Sequence, residues 1–150
     1  MQNRKEEAII QFDNGFNCAQ SVLLSFSDEL NLEKDIALKL SCGFGGGMGR
    51  KQNVCGAISG GILVIGAKYG KSSSGNDKDE EITFNKTREL IDSFVQIHGT
   101  HRCIELLQNC DLSTEEGQKK REELNLRNKV CKKCISTVVN KLETLIPEMN

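Results

Sequence analysis

The chain has 150 residues, with 20 Lys+Arg against 21 Asp+Glu and a formal net charge of −1. That length suits one domain. The balanced charge excludes broad phosphate neutralisation of nucleic acid and a polybasic membrane-surface protein. Two features stand out: seven cysteines, and 14 glycines of which nine lie between Gly43 and Gly66.

The N-terminus, MQNRKEEAIIQFDNG, lacks the apolar stretch of a secretory signal. The longest apolar run, Val54 to Ala67, is too short to span a bilayer. The expectation is a cytoplasmic protein with no membrane span. In a reducing compartment its cysteines are reduced, metal-bound or transiently oxidised rather than permanently paired.

Arg4 to Phe12 places Ala8, Ile9 and Phe12 at helical spacing, and Asp13-Asn14-Gly15 interrupts it. Asn17 with Gln20 has the form of a capping box, which puts Cys18 in the first turn of a helix carrying Val22 and Phe26 on one face. Leu32 to Leu40 reads as a third helix. Ser41 to Arg50 is a glycine-rich turn without the lysine and hydroxyl of a P-loop. Asn53 is the expected N-cap of a helix over Val54 to Lys68, where Gly56 and Gly60 form one bare strip suited to close approach of another helix.

Gly70 to Asp79 is polar and turn-rich, Glu80 to Ile97 is helical, and Thr100 is the expected cap of a short helix containing Cys103. Ser113 with Glu116 signals another helix start within a charged run, Glu115 to Glu123, read as a solvated face. Cys131, Cys134, Ile135, Val138, Leu142 and Leu145 make a final stripe ending before Pro147. No segment alternates as a strand. The expected fold is all-α: a single-domain bundle, residues 1–150, of about seven helices around a buried glycine-rich central helix.

Cys18, Cys55 and Cys103 each fall just after an expected N-cap. Unpaired N–H groups and the helix dipole favour a thiolate there, the form that attacks disulfides and binds metals. The bland alternative is that each is a small core hydrophobe. Cys131-Lys-Lys-Cys134 has the spacing of a redox dithiol or half a zinc site, without the strand or second ligand pair that either would need. His98 and His101 are metal-ligand or proton-transfer candidates, with capping or surface roles the simpler reading.

Together these pieces resemble the C-GCAxxG-C-C family, described as redox-active proteins of about this length. The matching elements are Phe16-Asn-Cys18-Ala-Gln-Ser-Val22, Gly43-Phe-Gly-Gly-Gly47, Cys55-Gly-Ala-Ile-Ser-Gly60, Cys103-Ile-Glu-Leu-Leu107 and Cys134 at the head of the last stripe. The resemblance implies a four-cysteine site of Cys18, Cys55, Cys103 and Cys134, as redox-active groups or metal ligands. Gly56 and Gly60 would bring backbone close to a cofactor. Cys42, Cys110 and Cys131 are then extras of this sequence.

Four thiolates suit electron transfer through an iron–sulfur cluster, thiol/disulfide exchange without cofactor, or structural zinc in a binding module that does no catalysis. A redox partner protein is the expected partner, and a glycine-lined helix face leaves a homo-oligomer open.

Overall fold

A computed structural model describes residues 3–149. It is all-helical, and among the described residues the only β-type pairing is an isolated antiparallel bridge between Val54 and Arg102. None of its helices is long and apolar enough to cross a membrane.

The first three helices are α1 (Arg4–Asp13), α2 (Cys18–Leu24) and α3 (Lys34–Cys42). The capping box that starts α2 forms as the sequence predicts: Asn17 Oδ1 accepts from Gln20 N and Gln20 Oε1 accepts from Asn17 N, both at 3.0 Å. The glycine-rich turn contains one short turn of helix, α4 (Gly45–Met48). Gly46 and Gly47 sit there at φ +66°, outside helical geometry.

Next comes α5 (Gly56–Tyr69). It starts two residues later than predicted, and Cys55, not Asn53, is its N-cap. Val54 is extended because it pairs with Arg102. The long α6 (Asp77–His98) starts ahead of the predicted Glu80, because Asn76 and Asp79 form a second capping box. Arg102, not Thr100, caps the four-residue α7 (Cys103–Leu106). The Thr100 hydroxyl instead accepts from Arg102 N.

Thr114, not Ser113, caps α8 (Glu115–Glu123): its hydroxyl accepts from Gly117 N at 3.0 Å while donating to Asp111 O, whereas the Ser113 N–H and hydroxyl both turn to Asp111 Oδ1. A π-helical turn, Arg127–Cys131, then leads into α9 (Lys132–Leu145).

Helix α5 packs against α2, α6 and α9, and α1 packs on α9. The main core holds Phe12, Phe26, Ile58, Ile65, Leu90, Phe94, Ile135 and Leu142. A smaller cluster of Cys103, Leu107, Cys110, Leu112 and Leu126 lies beside it.

The bare strip on α5 meets α2. A Cβ at Gly60 would stand 2.7 Å from the Ala19 carbonyl oxygen and 3.0 Å from Val22 Cβ. Backbone cannot yield as a side chain does, so Gly60→Ala is expected to lower unfolding free energy by about 1–3 kcal/mol. At Gly66, on the same helix, an added methyl would meet nothing within 4 Å. Gly66→Ala is expected to stabilise by about 0.4–1 kcal/mol through the unfolded chain. Urea denaturation of the two variants checks both signs.

Candidate redox site

Six cysteines line one cavity, five of them at least partly buried, and different local devices deliver them. Cys18 is the first residue of α2, and Asn17 ties that helix start to the end of α3 by donating to the Cys42 carbonyl at 2.9 Å. Gly45 leaves room for this contact, since a Cβ there would overlap the Asn17 side chain. At Gly56 a Cβ would lie 3.3 Å from Cys18 Cβ, so the start of α5 comes close to the start of α2.

Cys55 and Cys103 are joined through the isolated bridge. Cys55 N donates to His101 O at 2.8 Å, Cys103 N to Asn53 O at 2.7 Å and Ile104 N to Gln52 O at 3.1 Å. Gln52 is buried with φ +56°. Its amide donates to Cys110 O and its carbonyl accepts from Leu112 N, both at 2.8 Å. It thereby pins the chain on both sides of the bridge. Gly47 packs under Cys103, where a Cβ would lie 2.7 Å from Cys103 Cβ.

The result is a cavity of about 470 Å³. Cys18, Cys55, Cys103 and Cys134, the four singled out from sequence, all line it. Gly56 lines it too, whereas Gly60 lies away from it against α2.

Cys131 and the exposed Cys42 are also in the lining, while Cys110 is buried in the smaller cluster. The sequence reading set Cys131 aside, yet its thiol meets Cys18 in a side-chain hydrogen bond. The CxxC spacing was the available signal; the π-helical turn that ends at Cys131 was not readable.

Arg121 and Arg127 also line the cavity. Arg121 belongs to the charged run read as a solvated face, so that reading fails at this residue. Neither histidine lines the cavity. His98 bonds Thr137 at 2.9 Å and stacks near Phe94, while His101 contributes its backbone carbonyl to Cys55.

The sulfurs are electrically unequal. Cys134 hydrogen-bonds Cys55, which lowers the Cys55 pKa, helped by the N–H groups of Ala57 and Ile58 at the start of α5. Cys134 is raised by the same bond and by burial. Cys18 is raised by its bond to Cys131 and by burial, and Cys131 is lowered by that bond and by Arg121 and Arg127.

Cys103 is pushed up to about 12, first by burial and then by Cys55 and Cys131. The helix-start argument therefore holds for Cys55 and fails for Cys18 and Cys103. A thiol hydrogen bond and desolvation outweigh a helix dipole of a few tenths to 1 kcal/mol.

Among the described residues, no group of three or more His, Cys, Asp and Glu side chains is placed to hold a metal ion. This arrangement does not fit tetrahedral zinc, whose ligands meet on one point.

Residues 16–145 match the family model described as "Putative redox-active protein (C_GCAxxG_C_C)". The chain belongs to this family. The chain is also similar to an uncharacterized protein of Archaeoglobus fulgidus. It is 25% identical over 123 residues, which cover 77% of this chain and 82% of the relative. No solved structure matches.

Cys18 and Cys131 are both half-buried but shifted in opposite directions. In the reduced protein near neutral pH, iodoacetamide is expected to modify Cys131 at least severalfold faster than Cys18, because thiolate is the nucleophile. Cys103 should gain reactivity only as pH approaches 12. Peptide mass spectrometry of singly modified protein reads the order, and equal rates at Cys18 and Cys131 would show that the pair is not polarised.

Proposed function

We propose that the chain works as one helical unit whose redox centre is the sulfur-lined cavity, with Cys18, Cys55, Cys103 and Cys134 as its redox residues and Cys131 as a fifth. The observation that carries this reading is that two thiol couples, Cys18–Cys131 and Cys55–Cys134, face one cavity. Each couple joins a thiol of lowered pKa to one of raised pKa, the division of labour that thiol–disulfide exchange requires.

The lowered member attacks a disulfide RSSR as thiolate, forming a mixed disulfide and releasing one RS⁻. The raised member then gives up its proton and attacks the first cysteine's sulfur. The couple becomes a disulfide and the second RS⁻ leaves. Two electrons pass from the couple to the substrate, and the product thiolates take up protons according to pH. Cys103 lines the same cavity and in this reading takes part as a third thiol, its raised pKa making it a receiver of exchange rather than an attacker.

A second reading, an iron–sulfur cluster, is favoured by the cavity's volume and by the arginines beside its sulfurs. A multi-iron cluster takes thiolates around its periphery, so its ligands need not converge on one point. Cys18, Cys55, Cys103 and Cys134 would hold it and Arg121 and Arg127 would offset its negative charge. Such a group supplies one-electron transfer.

Anaerobic purification followed by iron, inorganic sulfide and free-thiol counts on one sample separates the readings. Exchange chemistry is expected to show negligible iron and to lose two thiols per disulfide reduced. Cys55→Ser and Cys134→Ser should each remove one such couple and lower the number of disulfides reduced per chain, a number that Cys110→Ser should leave unchanged. Stoichiometric iron and sulfide with visible absorbance, lost on substitution of each of the four cysteines, would establish the cluster instead. Cavity thiols that neither react with disulfides nor accompany iron would overturn both.

A further inference from the structure

The cavity wall has one charge sign. Its charged residues besides cysteine are Arg50, Arg121 and Arg127, and no Asp or Glu lines it. Arg121 Nε is buried and makes no hydrogen bond. Arg127 donates to the Phe12 carbonyl at 2.7 Å and lies 3.7 Å over the Phe12 ring, so its position is fixed by neutral partners. On their other side the two arginines border a second depression that contains Asp13 and Glu122. Asp13 is taken by Lys132 at 2.7 Å, and neither carboxylate forms an ion pair with Arg121 or Arg127 among the described residues.

Two guanidinium groups without carboxylate partners, beside a half-buried reactive sulfur, make a site for an anion that also carries sulfur. We propose that the cavity binds small anionic disulfides, carboxylate-bearing ones in particular, and that Arg121 and Arg127 hold the carboxylates while Cys131 attacks. The volume of about 470 Å³ lies in the small-molecule range. This inference rests on the exchange reading. The Cys131 thiolate displaces one RS⁻ from the bound disulfide, Cys18 resolves the mixed disulfide, and the second RS⁻ departs. Two electrons move from the Cys18–Cys131 couple to the substrate.

The test uses the full reduced chain and three disulfides of different charge: dithiodipropionate (dianion), hydroxyethyl disulfide (neutral) and cystamine (dication). Each anaerobic oxidation rate is divided by that disulfide's rate with dithiothreitol, which removes intrinsic reactivity. The dianion is expected to be preferred over the neutral disulfide by about tenfold or more, with the dication slowest. The preference should shrink as salt is raised.

Arg121→Gln is expected to reduce the dianion-to-neutral ratio severalfold, and Arg121→Lys to retain most of it. A change in Cys131 thiolate supply would slow all three disulfides together and leave the ratio alone. A ratio near one, or a ratio unchanged in Arg121→Gln and in Arg127→Gln, overturns the anion site while leaving exchange intact. Inertness toward all three disulfides overturns the exchange reading and this inference with it.

Discussion

The close approach of α5 to α2 is the constraint on which the cavity depends. Gly60 lets the two backbones meet at Ala19, and Gly56 lets the starts of both helices converge on the same spot. A side chain at either position would push the Cys18 end of α2 away from the Cys55 end of α5. Helix packing and the geometry of the sulfur site are thus one problem. The Val54–Arg102 bridge and Gln52 then add Cys103 to sulfurs already brought together.

Gathering five sulfurs creates an electrostatic conflict. A neutral thiol is a small, inexpensive thing to bury, while a buried thiolate is costly without a donor or a countercharge. Pairing resolves this conflict locally: Cys134 supports negative charge on Cys55, and Cys18 supports it on Cys131. Burial first, and then the neighbouring Cys55 and Cys131 sulfurs, keep Cys103 protonated. The cavity thereby carries its negative charge at chosen sulfurs, and those sulfurs face donors or guanidinium groups.

Much of this was legible in the residue order because it is set by short-range chemistry. The Asn17–Gln20 box fixes Cys18 at a helix start, and the four-residue spacing of Gly56 and Gly60 announces a close helix contact. The cysteine pattern identifies the family. What escaped depends on tertiary context. Asn53 reads as an N-cap until Val54 is claimed by Arg102, a residue 48 positions away in sequence. Ser113 is chemically as good a cap as Thr114, and only the local path of the chain, which sets the Thr114 hydroxyl at Gly117 N and turns Ser113 to the Asp111 carboxylate, decides between them. Cys131 looks like one more member of a core stripe because a π-helical turn leaves no compositional trace.

Arg121 is the most instructive of the residues that periodicity missed. It sits in α8, a helix with almost no apolar content of its own; of its residues only Gly117 is buried. A methyl at Gly117 would overlap the Asp111 carbonyl. The helix is therefore seated by backbone contact at Asp111 and by Gln118 donating to Leu112 O at 2.8 Å. Those are the residues next to the segment that Gln52 holds. Position along the chain from Gln52 to Leu112 to α8 thus decides where a full positive charge stands relative to Cys131. Whole charges at short range outweigh the partial charges of helix ends. After its bond to Cys18, the Cys131 thiol is thus lowered by a charge carried on the most polar helix, and the seating of that helix beside the segment held by Gln52 links the surroundings of Cys103 to those of Cys131.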